Sequence, residues 1–335
     1  MKRSVMKRFV SLFCVISVFV LCFGVSAVEA AVRLVYAEVN PADSLMGKTA
    51  QAFKEKVEEL SNKSVIIDIQ FSGVLGSEND VLDTMIGGGG TVDLSRIATY
   101  SLNSYGSKLL SLLSIPYTLS GREHFWKVAR SDLGAKLLNE TMELELGVKG
   151  LFYVEEGFRH FFFNSKVENL AGIAGKKLRV GNDPIMTGMV NGLKASPTVV
   201  SFTELYSALS AKVVDGAEQP IVNYRSNSFF EVAPFMILDG HTLGCGEVLI
   251  TSSAWGKLTD EQKGFIVEAG KYASDFNAKL SEQIENECKD SLKASGVTFV
   301  EVKNLKEWQE ACKNIISQFS KGMEKEYQAI LDMAK

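Results

Sequence analysis

The sequence predicts an α/β protein of two lobes, and three observations carry that expectation. A chain of 335 residues accommodates two domains at roughly 100–200 residues each. Residues 32–97 alternate β-rich runs with helical patterns, the order that builds a largely parallel sheet with helices on both faces. A helical pattern opens at Thr259 and stops at Gly296. At 1.5 Å per residue it spans roughly 50 Å, more than one small lobe, so it is expected to lie across both.

The elements follow in order. Residues 1–30 read as an export signal. Lys2, Arg3, Lys7 and Arg8 form its basic start, residues 9–25 its apolar core, and Val28-Glu29-Ala30 a small-residue cleavage pattern. The alternative is a retained anchor, because the apolar run approaches the lower limit for a membrane span. Ser11, Ser17 and Ser26 interrupt that run, so cleavage is the expectation; bulky Leu21 argues against a lipid anchor on Cys22.

Residues 32–38 predict a strand. Asp43 or Ser44 caps the helix behind it, with Leu45, Ala50, Phe53, Val57 and Leu60 facing inward. Residues 65–71 predict a second strand, and Gly76-Ser77-Glu78 opens a helix that ends in the glycine run 87–90. Because those glycines follow a helix, they are a helix stop and not a phosphate loop. Residues 92–97 predict a strand, 122–130 and 132–146 helices, and 148–154 the strand leading to the second lobe.

In that lobe, residues 177–180 predict a strand. Asp183 caps a helix with Pro184 at its first position and Ile185, Met186, Met189, Val190 and Leu193 buried. Ser201-x-x-Glu204 predicts a capping box before Leu205, Ala208 and Leu209, and Thr259-x-x-Gln262 another before the long helix. The long helix is expected to bury Phe265, Ala269, Tyr272, Phe276, Leu280, Ile284, Cys288 and Leu292. Outside the signal, Cys245, Cys288 and Cys312 read as free thiols; a Cys288–Cys312 bridge is the alternative.

The net charge is −4; residues 1–30 carry a net +3, so the remainder carries −7. An acidic chain without a basic cluster argues against nucleic acid and against an anionic membrane surface as partner. Catalytic patterns are weak. His124, His160 and His241 are far apart and form no metal-ligand spacing, and no G-x-S-x-G elbow occurs. No cofactor, metal or catalytic residue is expected.

Arg159 and Arg179 sit near the ends of short apolar runs bounded by Gly, Asn and Pro, which read as buried strands. In open α/β sheets ligands lie off the carboxyl ends of strands. A planar guanidinium there suits a carboxylate, which it binds with two parallel hydrogen bonds. In Leu178-Arg179-Val180 the strand period turns Arg179 away from its apolar neighbours. An unpaired buried charge is costly, so Arg179 needs either a ligand carboxylate or an acid of the protein; a surface position is the third option.

Four motifs stand in order between residues 157 and 220: G-F-R-H-F-F-F-N, G-K-K-L-R-V-G-N-D-P, S-P-T-V-V-S-F-T-E-L-Y-S-A-L and D-G-A-E-Q-P. This combination resembles the extracytoplasmic solute-binding proteins of TRAP transporters, the DctP-type family, over residues 32–295. The resemblance implies a periplasmic-binding-protein-like fold with a ligand cleft between the lobes. Lobe I would comprise residues 31–156 plus 245–284, and lobe II residues 157–244 plus 285–335, with the long helix spanning both.

It also implies site residues. Arg179 matches the arginine that pairs with the ligand carboxylate, and Arg159 a second contact, with a salt bridge at the strand edge as the alternative. Gln219 stands at the family's asparagine position, so its longer amide would donate from a different distance. Phe202 matches an aromatic on the ligand's apolar side, and Glu78 and Arg96 face its variable end from the first lobe. Apart from the resemblance, Glu38, Asn40, Tyr100, Tyr224 and His241 could supply hydrogen bonds to ligand hydroxyls, with a solvated or structural role as the expectation for each.

Residues 183–193, 218–227 and 239–242 look like the sugar-acid-binding branch, including uronate binders. Gln219-Pro220 and Gly181 depart from its pattern, and C4-dicarboxylates remain the alternative ligand. A periplasmic protein handing a small acid to a TRAP-type permease is the expectation. A secreted enzyme acting on a carboxylated sugar and a sensor subunit for the same acids are the alternatives.

Overall fold

A computed structural model describes residues 30–88 and 90–335. The expected signal, apart from Ala30, and Gly89 of the glycine run lie outside the described residues. No helix among the described residues is long and apolar enough to cross a membrane.

The chain opens with β1 (Val32–Ala37), α1 (Leu45–Leu60), β2 (Val65–Gln70), α2 (Glu78–Ile86) and β3 (Leu94–Ala98). β1 pairs parallel with both β2 and β3, as the alternation predicts. Ser44 caps α1, and Ser77 caps α2 in a reciprocal box with Asp80. Next come α3 (Arg122–Ala129), α4 (Asp132–Leu138) and α5 (Glu140–Glu143). The helix expected over 132–146 is therefore broken at Asn139. Glu140 turns inward there, and its carboxylate accepts the backbone N–H groups of Lys108, Leu109 and Leu110 and the Ser107 hydroxyl.

β4 (Val148–Phe163) is followed by β5 (Lys177–Val180), α6 (Pro184–Gly192), β6 (Ser196–Val199), α7 (Leu205–Ser210), β7 (Gly216–Pro220) and α8 (Ile221–Ser226). Then come β8 (Phe235–Thr251), α9 (Ser252–Gly256), α10 (Asp260–Ala294), β9 (Thr298–Glu301), α11 (Leu305–Phe319) and α12 (Glu324–Asp332). Asp183 and Pro184 open α6 as expected, and all five stripe residues of that helix are buried. Ser201 makes no backbone cap. Its hydroxyl bonds the Glu204 side chain directly, and a 3-10 turn, Phe202–Glu204, precedes α7.

The strands join one mixed sheet in the order β2-β1-β3-β8-β4-β7-β5-β6, with β9 added on β8. β4 and β8 lie antiparallel and link its two halves. Residues 148–155 of β4 face 245–251 of β8, and residues 158–163 face 235–243. The register slips between Glu155 and Phe158 and again between Arg159 and Phe161. Such slips bend a strand and increase its twist. Gly157 lies within the first slip at φ +90°, where a Cβ would collide with the Glu285 and Arg122 side chains.

Each half has its own core. Leu34, Tyr36, Phe53, Val57, Val248 and Ile250 pack together beneath α1 and α10. In the other half, Phe161, Leu178, Val180, Met189 and Trp308 form one cluster, and Phe162, Leu209, Tyr224 and Phe229 another. α10, 35 residues and about 52 Å long, places Ile266, Ala269 and Ala273 in the first half's core and Leu292 in the second's.

The buried seam of α10 differs from the expected stripe. Ala269, Ile284 and Leu292 are inside, but Tyr272 is exposed and Phe265, Phe276 and Leu280 are half-buried. Gly270, Ala273, Asn277, Ser281 and Glu285 fill the seam instead. Small and polar side chains suit it because α10 crosses close to α1 and to the polar kink of β4. The three cysteines among the described residues are free: Cys245 and Cys312 are buried and Cys288 is half-buried.

Candidate functional site

Arg179 projects from β5 on the face opposite Leu178 and Val180, both of which are in the core. The residue is 2% exposed. Nε donates to the Val200 carbonyl at 2.8 Å, and buried Nη1 has no hydrogen-bond partner. No carboxylate among the described residues forms a salt bridge with it. Burial lowers its pKa, the expected response of a desolvated cation without an acid beside it.

Arg159, on β4, is held differently. Its Nε and Nη2 both bond the Glu218 carboxylate of β7, the latter at 2.8 Å. Burial opposes its charge, but Glu218, with smaller help from Tyr100 and Glu156, more than offsets it and drives its pKa up. The expected alternative, a strand-edge salt bridge, is therefore present. The guanidinium carbon lies 5.4 Å from the Tyr100 ring centre, within cation–π range. Among the described residues Nη1 of Arg159 takes no hydrogen bond, while the residue lines the same cavity as Arg179.

Behind this pair runs a buried network. His241 Nε2 lies 3.4 Å from Glu218, and Nδ1 lies 2.6 Å from Asp239, which also accepts the Phe161 N–H. Burial works against a charged His241, but its two carboxylate neighbours raise its pKa to about 9. Burial would raise Glu218, but Arg159 and His241 bring its carboxyl down to about 2. His241 is thus a support for the arginine, not a cavity residue. Tyr224 is also structural, since its hydroxyl donates to the Ala233 carbonyl inside the core.

One cavity collects the six leading sequence candidates, Arg179, Arg159, Gln219, Phe202, Glu78 and Arg96, together with Asn40 and Tyr100. Buried Gln219 makes no side-chain hydrogen bond among the described residues. Phe202 packs edge-on against Phe229. Gly181, a departure from the expected pattern, has a local reason. A Cβ there would lie 3.0 Å from the Tyr100 ring, so glycine lets Tyr100 close over the arginine strand.

Arg96, on β3, meets three carboxylates: Glu156 at 3.2 Å, Glu78 at 3.3 Å and Glu38 at 3.5 Å. Glu78, at the start of α2, also accepts the Ala98 N–H and the Ser101 hydroxyl. The sequence reading missed Glu156 and Asn223, which is 4% exposed on α8 and donates to Glu156 at 2.9 Å. Their one signal was Glu155-Glu156 inside a long β-rich run, because strand alternation sends adjacent acids to opposite faces. Glu155 turns toward Arg122 and Ser281. Glu156 turns into the cavity.

No group of three or more metal-binding side chains occurs among the described residues. The cavity offers a cation without an internal acid, an arginine with one free nitrogen, a buried amide and a carboxylate-rich wall. That is equipment for holding an anion that carries polar substituents.

The family model for bacterial extracellular solute-binding protein, family 7 (DctP) matches residues 36–322. A solute-binding protein of Roseobacter denitrificans is 28% identical over 253 residues, 76% of either chain. A TRAP periplasmic solute-binding protein from Bradyrhizobium, solved with bound galacturonate, superposes with a TM-score of 0.85 at 26% identity, covering 90% of this chain and 99% of that one. One from Pseudomonas putida, solved with bound D-glucuronate, gives a TM-score of 0.86 at 23% identity over 89% and 96% of the two chains. The fold they share is the two-lobed one expected from the sequence.

Proposed function

This chain belongs to the bacterial extracellular solute-binding proteins of family 7, and on that premise we propose that it captures a sugar acid such as a uronate for a TRAP-type permease. Membership makes it a binding protein, not an enzyme. The observation that carries the ligand reading is the buried Arg179 guanidinium, which lines the cavity without an acid of its own. A ligand carboxylate completes it.

Arg179 takes the carboxylate, with Arg159 Nη1 and the Gln219 amide beside it. Phe202 covers the ligand's apolar side, and Glu78 and Arg96 frame its far end. The galacturonate held by the Bradyrhizobium relative supports a sugar acid over a C4-dicarboxylate. Lobe I (31–156 plus 245–284) and lobe II (157–244 plus 285–335) close on the ligand by bending where β4 slips register. Closure excludes water and strengthens the ion pair. The signal over 1–30 is removed on export, and the mature protein works in the periplasm, handing its ligand to the permease subunits.

Calorimetric titration with D-galacturonate and D-glucuronate tests this reading. Arg179→Ala should weaken binding by about 30-fold or more, the usual loss when one partner of a buried charge pair is removed. Its fold should persist, because no protein acid loses a partner. Undiminished affinity in that variant, or binding confined to neutral sugars, would sink the proposal.

A further inference from the structure

The carboxylate-rich wall is short of hydrogen-bond donors. Glu38 accepts from Asn40 Nδ2 and Glu156 from Asn223 Nδ2, each at 2.9 Å. In both pairs the amide turns its nitrogen to the glutamate and its oxygen away. The buried atoms Asn40 Oδ1, Asn223 Oδ1 and Glu38 Oε2 are left without partners, while Glu156 Oε1 meets only Arg96 Nη1, at 3.2 Å. Against these three acceptors stands one orphaned donor of the same cluster, Arg96 Nε. Asn40, Asn223 and Glu156 all line the ligand cavity.

A buried polar atom left without a partner is costly, so the bound ligand must bring donors to this wall. A second carboxylate brings none. It would also face Glu78 and Glu156, which already share the single arginine Arg96, an arrangement that disfavours it. We propose that Asn40, Asn223 and Glu156 determine specificity: they read the hydroxyl groups of the ligand, admitting polyhydroxylated monocarboxylates and rejecting dicarboxylates and bare carboxylic acids. This inference rests on the carboxylate reading of Arg179 and adds the chemistry of the ligand's other end.

The purified protein is titrated with D-galacturonate, with succinate, and with cyclohexanecarboxylate, which keeps ring and carboxylate but has no hydroxyl. A site built to hydrogen-bond hydroxyls rejects an analogue lacking them strongly, so cyclohexanecarboxylate should bind about 100-fold weaker than galacturonate, or worse. Succinate should bind at least about tenfold weaker, since like charges face its second carboxylate. Asn223→Ala should lower galacturonate affinity about tenfold and leave cyclohexanecarboxylate, measured by competition, unchanged. A structural lesion would weaken both together, and that result overturns the role given to Asn223. Succinate binding as tightly as galacturonate, with dependence on Arg179 intact, overturns the hydroxyl reading and spares the carboxylate one. If none of the acids binds, the carboxylate reading falls and takes this inference with it.

Discussion

Glu247 is fully buried on β8, and neither of its carboxylate oxygens has a hydrogen-bond partner. It stands opposite Ile97 of β3 and Tyr153 of β4, away from the ligand cavity. Burial raises its pKa well above the usual range, and Glu140 adds to that, so it is held neutral. Arg179 is an orphan too, but it lines the cavity, where a guest can complete it. The location separates an orphan with a ligand role from one that only weakens the fold. Glu247→Met should therefore stabilise the protein, since an unsatisfied buried polar group costs about 1–3 kcal/mol. That is a rise of about 2–4 °C in melting temperature per kcal/mol for a chain of this size, read by scanning calorimetry. A lower melting temperature would mean that Glu247 has a partner, such as a buried water. At this scale the sequence was partly legible. Arg179 stood out because two core residues flank it. The acid that occupies Arg159 did not, because Glu218 lies 59 positions away and only the β4–β7 pairing brings it near.

α10 carries the same lesson at the scale of an element. Both ends were legible, since the Thr259–Gln262 box is local chemistry and Gly296 follows the stop. The packed face was not. A large-apolar stripe marks a helix lying on an open core, whereas α10 also lies on the polar kink of β4. Asn277 Oδ1 accepts the Glu155 backbone N–H at 2.8 Å, and its Nδ2 donates to Thr49 on α1 at 3.3 Å. One side chain thus ties the long helix to both the kink and the first lobe's helix. Asn277→Ala should orphan the Glu155 N–H and cost about 1–3 kcal/mol, visible as a lower denaturation midpoint. An unchanged midpoint would show that the kink does not need this tie. The break between α4 and α5 has a similar origin: Glu140 caps a segment thirty residues earlier, a contact that no periodicity in 132–146 announces.

For the whole molecule, the buried chain Arg159–Glu218–His241–Asp239 makes stability depend on pH from both sides. The folded pKa of His241, about 9, lies above its ordinary 6.5. Its contribution is complete below about pH 6.5 and is lost as pH rises through 9. The folded pKa of Glu218, about 2, lies below its ordinary 4.5, so its contribution is present above 4.5 and lost as pH falls toward 2. His160 is buried beside Asp239, and burial lowers its pKa from 6.5 to about 4. It must charge on acid unfolding, so stability also declines below about pH 6.5. The melting temperature should fall as pH drops through the Glu218 range toward 2, and fall again as pH rises through 9 with His241. Glu247 opposes folding as pH rises above its ordinary 4.5, where the unfolded chain ionises and the folded group does not; this offsets His160 between 4.5 and 6.5 and adds to the alkaline fall. Glu247→Met should therefore flatten the alkaline limb without removing it, and the limb that remains belongs chiefly to His241. Melting curves of both proteins from pH 3 to 10 make the comparison. A melting temperature that climbs between pH 7 and 9.5 would mean that His241 is neutral in the folded state, leaving Glu218 held by Arg159 alone.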